Sequence, residues 1–356
     1  MLHSSTFISK ISVAVLLLLL LYFVAMDCLL YFRIQNYDVR SPANKTPSSP
    51  YHSPISCDVN PICTVTVKAM MLDHPNQFIL NPLAALVDRL LGISHSWTWV
   101  TPNAISISHV FVALIGARYI TRKSLSDRRL GVVLFQVRTW MDDLDGHVAR
   151  TRLNVKGERS DFGSIGYFVD GICDGLGCIA LLVAVFIFLN RKVNRRSSYE
   201  RLPTHASSSS IQSTTSAAPF WKSPLWSVLV MGLHFSLTSF GWNRYISMYQ
   251  DLLEVDRSTL PISCEDLYDR QTVVFRSLSF WVITLAWKSF NFHAIMDYML
   301  LAIFLDHIWA YVKLAWWQLP AILLLLIVVS EYHYTNVYTY VEMSSVKDNA
   351  VSFFIS

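Results

Sequence analysis

The chain has 356 residues, of which 53% are hydrophobic and 15% charged, with a mean hydropathy of +0.38. A soluble globular domain rarely reaches these values, so the composition points to an integral membrane protein. The net charge of +4 gives no indication of a nucleic-acid partner.

In chain order, the first apolar stretch, about residues 11–32, is longer than the core of a signal peptide and lacks a small-x-small exit site, so it reads as an uncleaved anchor. Residues 1–32 are therefore expected to form an N-terminal signal-anchor region and 33–75 a luminal extension. That extension holds the chain's one N-x-S/T sequon, at Asn44, together with Cys57 and Cys63. Cys264 falls in a later loop on the same expected side, and pairing among the three cysteines is open. Further apolar stretches long enough to span follow at roughly 104–120, 131–148, 168–190, 224–245, 278–308 and 314–332. Lys288, Asp297 and Asp306 interrupt the stretch 278–308 and are expected to face the bundle.

Basic residues test this topology. Arg122, Lys123, Arg128 and Arg129 fall in one expected cytosolic loop, and Arg191, Lys192, Arg195, Arg196 and Arg201 in another. The luminal loop near 246–275 is acidic, in keeping with the positive-inside rule. The luminal loop after residue 150 dissents, because it carries Arg150, Arg152, Lys156 and Arg159; an anionic substrate would account for them. Residues 199–219 are a polar low-complexity stretch and read as a flexible linker within a membrane domain spanning 76–335, followed by a tail at 336–356.

The chemistry concentrates in "WMDDLDGHVAR", residues 140–150, and "GYFVDGICDG", residues 166–175. Asp142 and Asp145 lie three apart on one helix face, and Gly166, Asp170 and Asp174 recur every four residues on the next. Two adjacent helix ends thus each present a pair of carboxylates. Four such groups at low dielectric require a compensating cation, and hard oxygen donors suit Mg²⁺, Mn²⁺ or Ca²⁺. Asp143 falls outside the pattern and reads as a solvated neighbour.

The pattern D-x2-D-G-x2-A-R followed by G-x3-D-x3-D, with the "TPNAIS" turn at 101–106, resembles the CDP-alcohol phosphotransferase family. In "TPNAIS", Thr101 also makes a good N-cap and Pro102 a good first helical residue. The resemblance implies an all-α integral membrane protein with a six-helix core behind the anchor, and two divalent cations, Mn²⁺ or Mg²⁺. It implies that Asp142, Asp145, Asp170 and Asp174 hold the metals, with Asp174 also the general base. Asn103, Gly146, Ala149, Arg150 and Gly166 would contact the CDP-alcohol, and a homodimer is expected. The chain departs from the family in the longer stretch 151–165 between Arg150 and Gly166. A cation transporter or a non-catalytic scaffold fits less well: the carboxylates sit at helix ends with an A-R attached, and none is lost.

All the motif segments fall on the expected luminal side. A luminal site is similar to that of the Golgi members that transfer phosphoethanolamine from CDP-ethanolamine to ceramide. The alternative is a choline/ethanolamine phosphotransferase acting on diacylglycerol.

Overall fold

A computed structural model describes residues 2–39, 55–57, 59–63, 65–153, 165–200, 223–254 and 263–342. Asn44, most of the 199–219 linker, Lys156 and Arg159 lie outside the described residues, as does the tail beyond Glu342. The described residues are helical, with no strand among them. Five helices are long and apolar enough to cross a membrane, or up to six if one bent pair counts as a single span, as an all-α multi-pass membrane protein requires.

The apolar N-terminal stretch is helix α1 (Leu2–Gln35). Short helix α2 (Val67–Met71) follows, capped by the Thr66 hydroxyl, and then a π-helical turn at Asn76–Leu80. Helix α3 (Asn81–Leu91) stops at Gly92, whose φ of 64° is left-handed, and leads into α4 (Ile93–Ser96). Helix α5 (Pro102–Ile120) starts at the expected N-cap, with Thr101 Oγ1 accepting from Ala104 N at 3.2 Å. Helices α6 (Leu125–Leu153), α7 (Ile165–Glu200) and α8 (Pro224–Leu253) follow. Beyond them come α9 (Cys264–Arg276), α10 (Leu278–Phe290), α11 (Phe292–Phe304) and α12 (Ile308–Glu342).

One expected span comes out divided. The stretch 131–148 lies within the 29-residue α6, which packs against α3, α5 and α11 and leaves Leu130, Val133 and Val137 exposed; its charged side chains keep it out of the most apolar set. The stretch 278–308 is two helices divided at Asn291, which caps α11 by accepting from Ala294 N at 2.8 Å and donates to Met71 O at 3.0 Å.

Helices α5 and α6 approach closely because both are glycine at the crossing: a Cβ on Gly131 would meet Gly116 O at 2.8 Å. Around this pair one apolar cluster joins α5–α8 to α11 and α12 through Phe135, Leu181, Val185 and Met299. A second cluster gathers α8–α10, α12, α2 and the later half of α1 around Tyr249, Phe275, Phe280 and Trp287. The outer face of α1, including Leu17, Leu18 and Leu21, stays exposed.

The three charges that interrupt the late apolar stretches each pair with a distant element and not with one another. Lys288 Nζ, buried in α10, donates to Asp27 Oδ1 of α1 at 2.8 Å, and Asp27 also meets His74 at 2.8 Å. Asp297 accepts from Gln136 of α6 at 2.7 Å. Asp306, at φ 60°, accepts from Arg128 at 2.9 Å and Lys192 at 3.4 Å. The basic residues at this end also close helix termini: Arg191 donates to Thr121 O at 2.7 Å and Arg129 to Phe304 O at 3.1 Å.

Candidate active site

At the opposite end, where α5 and α7 begin and α6 finishes, the helix periodicity delivers the carboxylates to one place. Asp142, Asp170 and Asp174 join His109 of α5, and one donor atom from each lies within 4.8 Å of the others. Asp142 Oδ1, Asp170 Oδ1 and both His109 ring nitrogens are buried without a hydrogen-bond partner among the described residues. Converging acceptors left unmet at low dielectric are what a bound cation satisfies, so these side chains fit a divalent metal. Asp145 stands beside this group: Ser106 of the "TPNAIS" turn donates to its Oδ2 at 2.6 Å and fixes its orientation.

The cluster opens into a cavity of about 930 Å³ lined by Asp142, Asp143, Asp145, Asp170 and Asp174 together with Gly146 and Arg150. Arg150 folds back along its own helix, and a Cβ on Gly146 would stand 3.1 Å from its Nη1. Ala149, Asn103 and Gly166 are not among the residues lining the cavity. Asp143 does not point to bulk solvent: it lines the same cavity, and its Oδ2 is buried without a hydrogen-bond partner among the described residues. The expectation of a solvated neighbour is corrected accordingly. Cys57 and Cys63 are disulfide-bonded, and Cys264 is free and exposed.

The dissenting basic residues have more than one explanation. Arg150 faces the cavity, as an anionic ligand would require. Arg152 instead donates to Ile93 O, Ser94 O and Trp97 O at 3.0–3.1 Å, pinning the α4 turn to the end of α6. Its charge serves local structure.

Three side chains of the site escape motif reading. His109 lies one helical turn beyond Ser106. Arg138, four residues before Asp142 and therefore on its face, is buried and donates to Asp174 Oδ1. A guanidinium inside an apolar run, one turn from a carboxylate, is the sequence signal that marks it. Lys68 reaches the cavity from α2, ahead of the core, and no local pattern announces it.

A membrane-embedded helix bundle that gathers acidic side chains and an arginine around one cavity has the groups that metal-assisted phosphoryl transfer to a lipid would use. A family model described as ceramide phosphoethanolamine synthase matches residues 1–344. A Drosophila melanogaster protein named ceramide phosphoethanolamine synthase is 38% identical, over 98% of this chain and 99% of the relative. The chain belongs to the ceramide phosphoethanolamine synthase family. No solved structure matches it.

Proposed function

We propose that the chain transfers phosphoethanolamine from CDP-ethanolamine to the primary hydroxyl of ceramide, releasing CMP, at a site facing the Golgi lumen. The observation that carries this reading is the convergence of Asp142, Asp170, Asp174 and His109 within 4.8 Å on a cavity of a chain belonging to this family.

Asp142, Asp145, Asp170 and Asp174 would hold two divalent cations, Mn²⁺ or Mg²⁺, with His109 as a further donor. Bound there, the metals supply neutralisation of the donor's pyrophosphate and of the charge that builds on departing CMP. The protein's own groups do the rest. Asp174 takes the proton of the ceramide hydroxyl as its oxygen bonds to the β-phosphorus and the bond from that phosphorus to the CMP oxygen breaks. Arg138 holds the Asp174 carboxylate in place. Arg150, on the cavity wall, meets a phosphate oxygen, and Gly146 leaves the nucleotide room beside α6. The family pattern would put Asn103, Ala149 and Gly166 on the nucleotide side, but they stand off the cavity wall and are given no direct contact. The homodimer expected from that pattern is testable by cross-linking in membranes.

The luminal placement is supported by the Cys57–Cys63 disulfide, which calls for an oxidising compartment. Lys68 and Leu72, a few residues beyond it, line the aspartate cavity, so disulfide and cavity belong to one side.

The decisive experiment incubates membranes containing the protein with CDP-ethanolamine or CDP-choline and either ceramide or diacylglycerol, and identifies the lipid product. Ceramide phosphoethanolamine as the main product is the expected result. A glycerophospholipid as the main product overturns the reading.

A further inference from the structure

From the aspartates the cavity continues between the facing sides of α7 and α8. A Cβ built on Gly232 of α8 would touch Leu182 of α7 at 3.4 Å, which sets the register of these antiparallel neighbours. Seven residues further along both helices Ser239 comes opposite Gly175, and eleven residues further Asn243 comes opposite Gly171. An added Cβ on either glycine would meet no atom within 4 Å, so α7 offers bare backbone to open space at both levels. These are also the levels of the chemistry, since Gly171 follows Asp170 and Gly175 follows Asp174.

The side of α8 that looks into this space sets polar side chains among Phe235, Phe240, Trp242 and Ile246, although α8 is long and apolar enough to span a membrane. Its exposed Leu229, Leu233 and Leu237 are apolar, as a lipid-facing surface should be. Ser236, Ser239 and Asn243 instead line the cavity. Their bonds remain inside their own helix: Ser236 Oγ donates to Gly232 O at 3.0 Å, and Asn243 Nδ2 to Ser239 O at 3.0 Å. Asn243 Oδ1 accepts from no described residue. A carboxamide acceptor turned into the cavity and not used inside the protein is open to a ligand that carries a donor.

We infer that Asn243, with Ser239 beside it, reads the amide of the acceptor lipid and selects a sphingoid over a glycerol backbone. The inference rests on the ceramide reading above and assigns residues to its specificity. Next to its reacting hydroxyl, ceramide carries an amide N–H and a second hydroxyl, both donors. Diacylglycerol carries two esters there, which only accept. Asn243 Oδ1 is matched by the first lipid and left unpaired by the second, and a site built to hydrogen-bond a donor discriminates against an analogue lacking it. Gly171 and Gly175 give the amide plane space to lie against α7.

The test compares kcat/KM for ceramide, N-methylceramide and diacylglycerol, with CDP-ethanolamine as donor, in the full-length wild type and in Asn243→Leu. The variant should lose roughly three- to tenfold on ceramide, the worth of one neutral hydrogen bond, mainly through acceptor KM. Its KM for CDP-ethanolamine should not change. Wild type should lose a similar factor on N-methylceramide, and the variant should lose nothing further, because both changes remove the same bond. Losses that multiply, an equal loss on diacylglycerol, or a raised KM for CDP-ethanolamine each overturn the assignment. If Asn243→Leu does not accumulate in membranes, Asn243→Ala carries the same comparison. A wild type that ignores ceramide and uses diacylglycerol sinks the ceramide reading itself, a separate outcome.

Discussion

Arg138 reaches from α6 to Asp174 of α7 by passing over Gly177, where a Cβ would come within 3.0 Å of the guanidinium Nε. The arginine side chain is 3% exposed and the carboxylate 30%, so the pair lies at the inner edge of the cavity. Arg138→Leu is expected to reduce turnover by about 10–100-fold, the usual cost of losing a side chain that orients a reacting one. Gly177→Ala should act in the same direction and more weakly, by displacing the guanidinium. Unchanged kcat in both variants would dissociate Arg138 from the chemistry.

Replacing Asp174 by Asn keeps the side chain's shape and removes its capacity to take a proton. Turnover should fall by about 10²–10⁴-fold while the protein still inserts. A value within a few-fold of wild type would move the base to another residue.

Chelation should abolish activity, and Mn²⁺ or Mg²⁺ should restore it, since the clustered carboxylates need compensation. His109 gives this site an imidazole among oxygens, a donor that suits Mn²⁺ better than Mg²⁺. His109→Leu should therefore raise the Mn²⁺ concentration for half-maximal activity and narrow the difference between the two metals. An unaltered metal titration would exclude His109 from the site.

Asp306 combines a left-handed backbone with two cationic partners. Burial pushes its carboxyl up, but Arg128 and Lys192 outweigh this and hold it below the ordinary carboxylate range. Its ion pairs therefore stabilise the protein above pH ~3.9 and are lost as pH falls through the lowered value. Asp306→Asn should lower the thermal midpoint in detergent slightly, because Asn tolerates this backbone. Asp306→Val should lower it further, by a strain cost of about 1–2 kcal/mol. Equal shifts would assign the whole cost to the ion pairs.

With a luminal site, Asn44 should carry a glycan that an endoglycosidase removes. Sealed vesicles should also show latent activity towards added CDP-ethanolamine, which opening the membrane reveals. Equal activity in sealed and opened vesicles, with no glycan on Asn44, would place the site in the cytosol.

The helix ends and the cap at Thr101 were legible because both depend on neighbours a few residues apart. The spacing of Asp142, Asp170 and Asp174 worked for the same reason: a period near 3.6 puts them on single helix faces wherever those helices go. Pairings such as Gln136 with Asp297, or Arg128 with Asp306, join residues more than 150 positions apart, and composition carries no trace of them. The division at Asn291 was hidden for a related reason. Asparagine within an apolar run is unremarkable until Met71 O is found accepting from it across the bundle. Asp143 misled because sequence position alone does not say whether a residue beside a motif turns outward or into the cavity.

The bond between Asp27 and Lys288 spans 261 positions of chain. During synthesis the first helix must therefore enter the bilayer with its aspartate before the partner lysine has been made. Over that interval Asp27 depends on the membrane interface or on the insertion machinery for its solvation. Removal of the anchor after assembly would strand a buried ammonium in the folded enzyme. The first helix thus resembles a delayed latch, which closes on the bundle only when the tenth helix arrives.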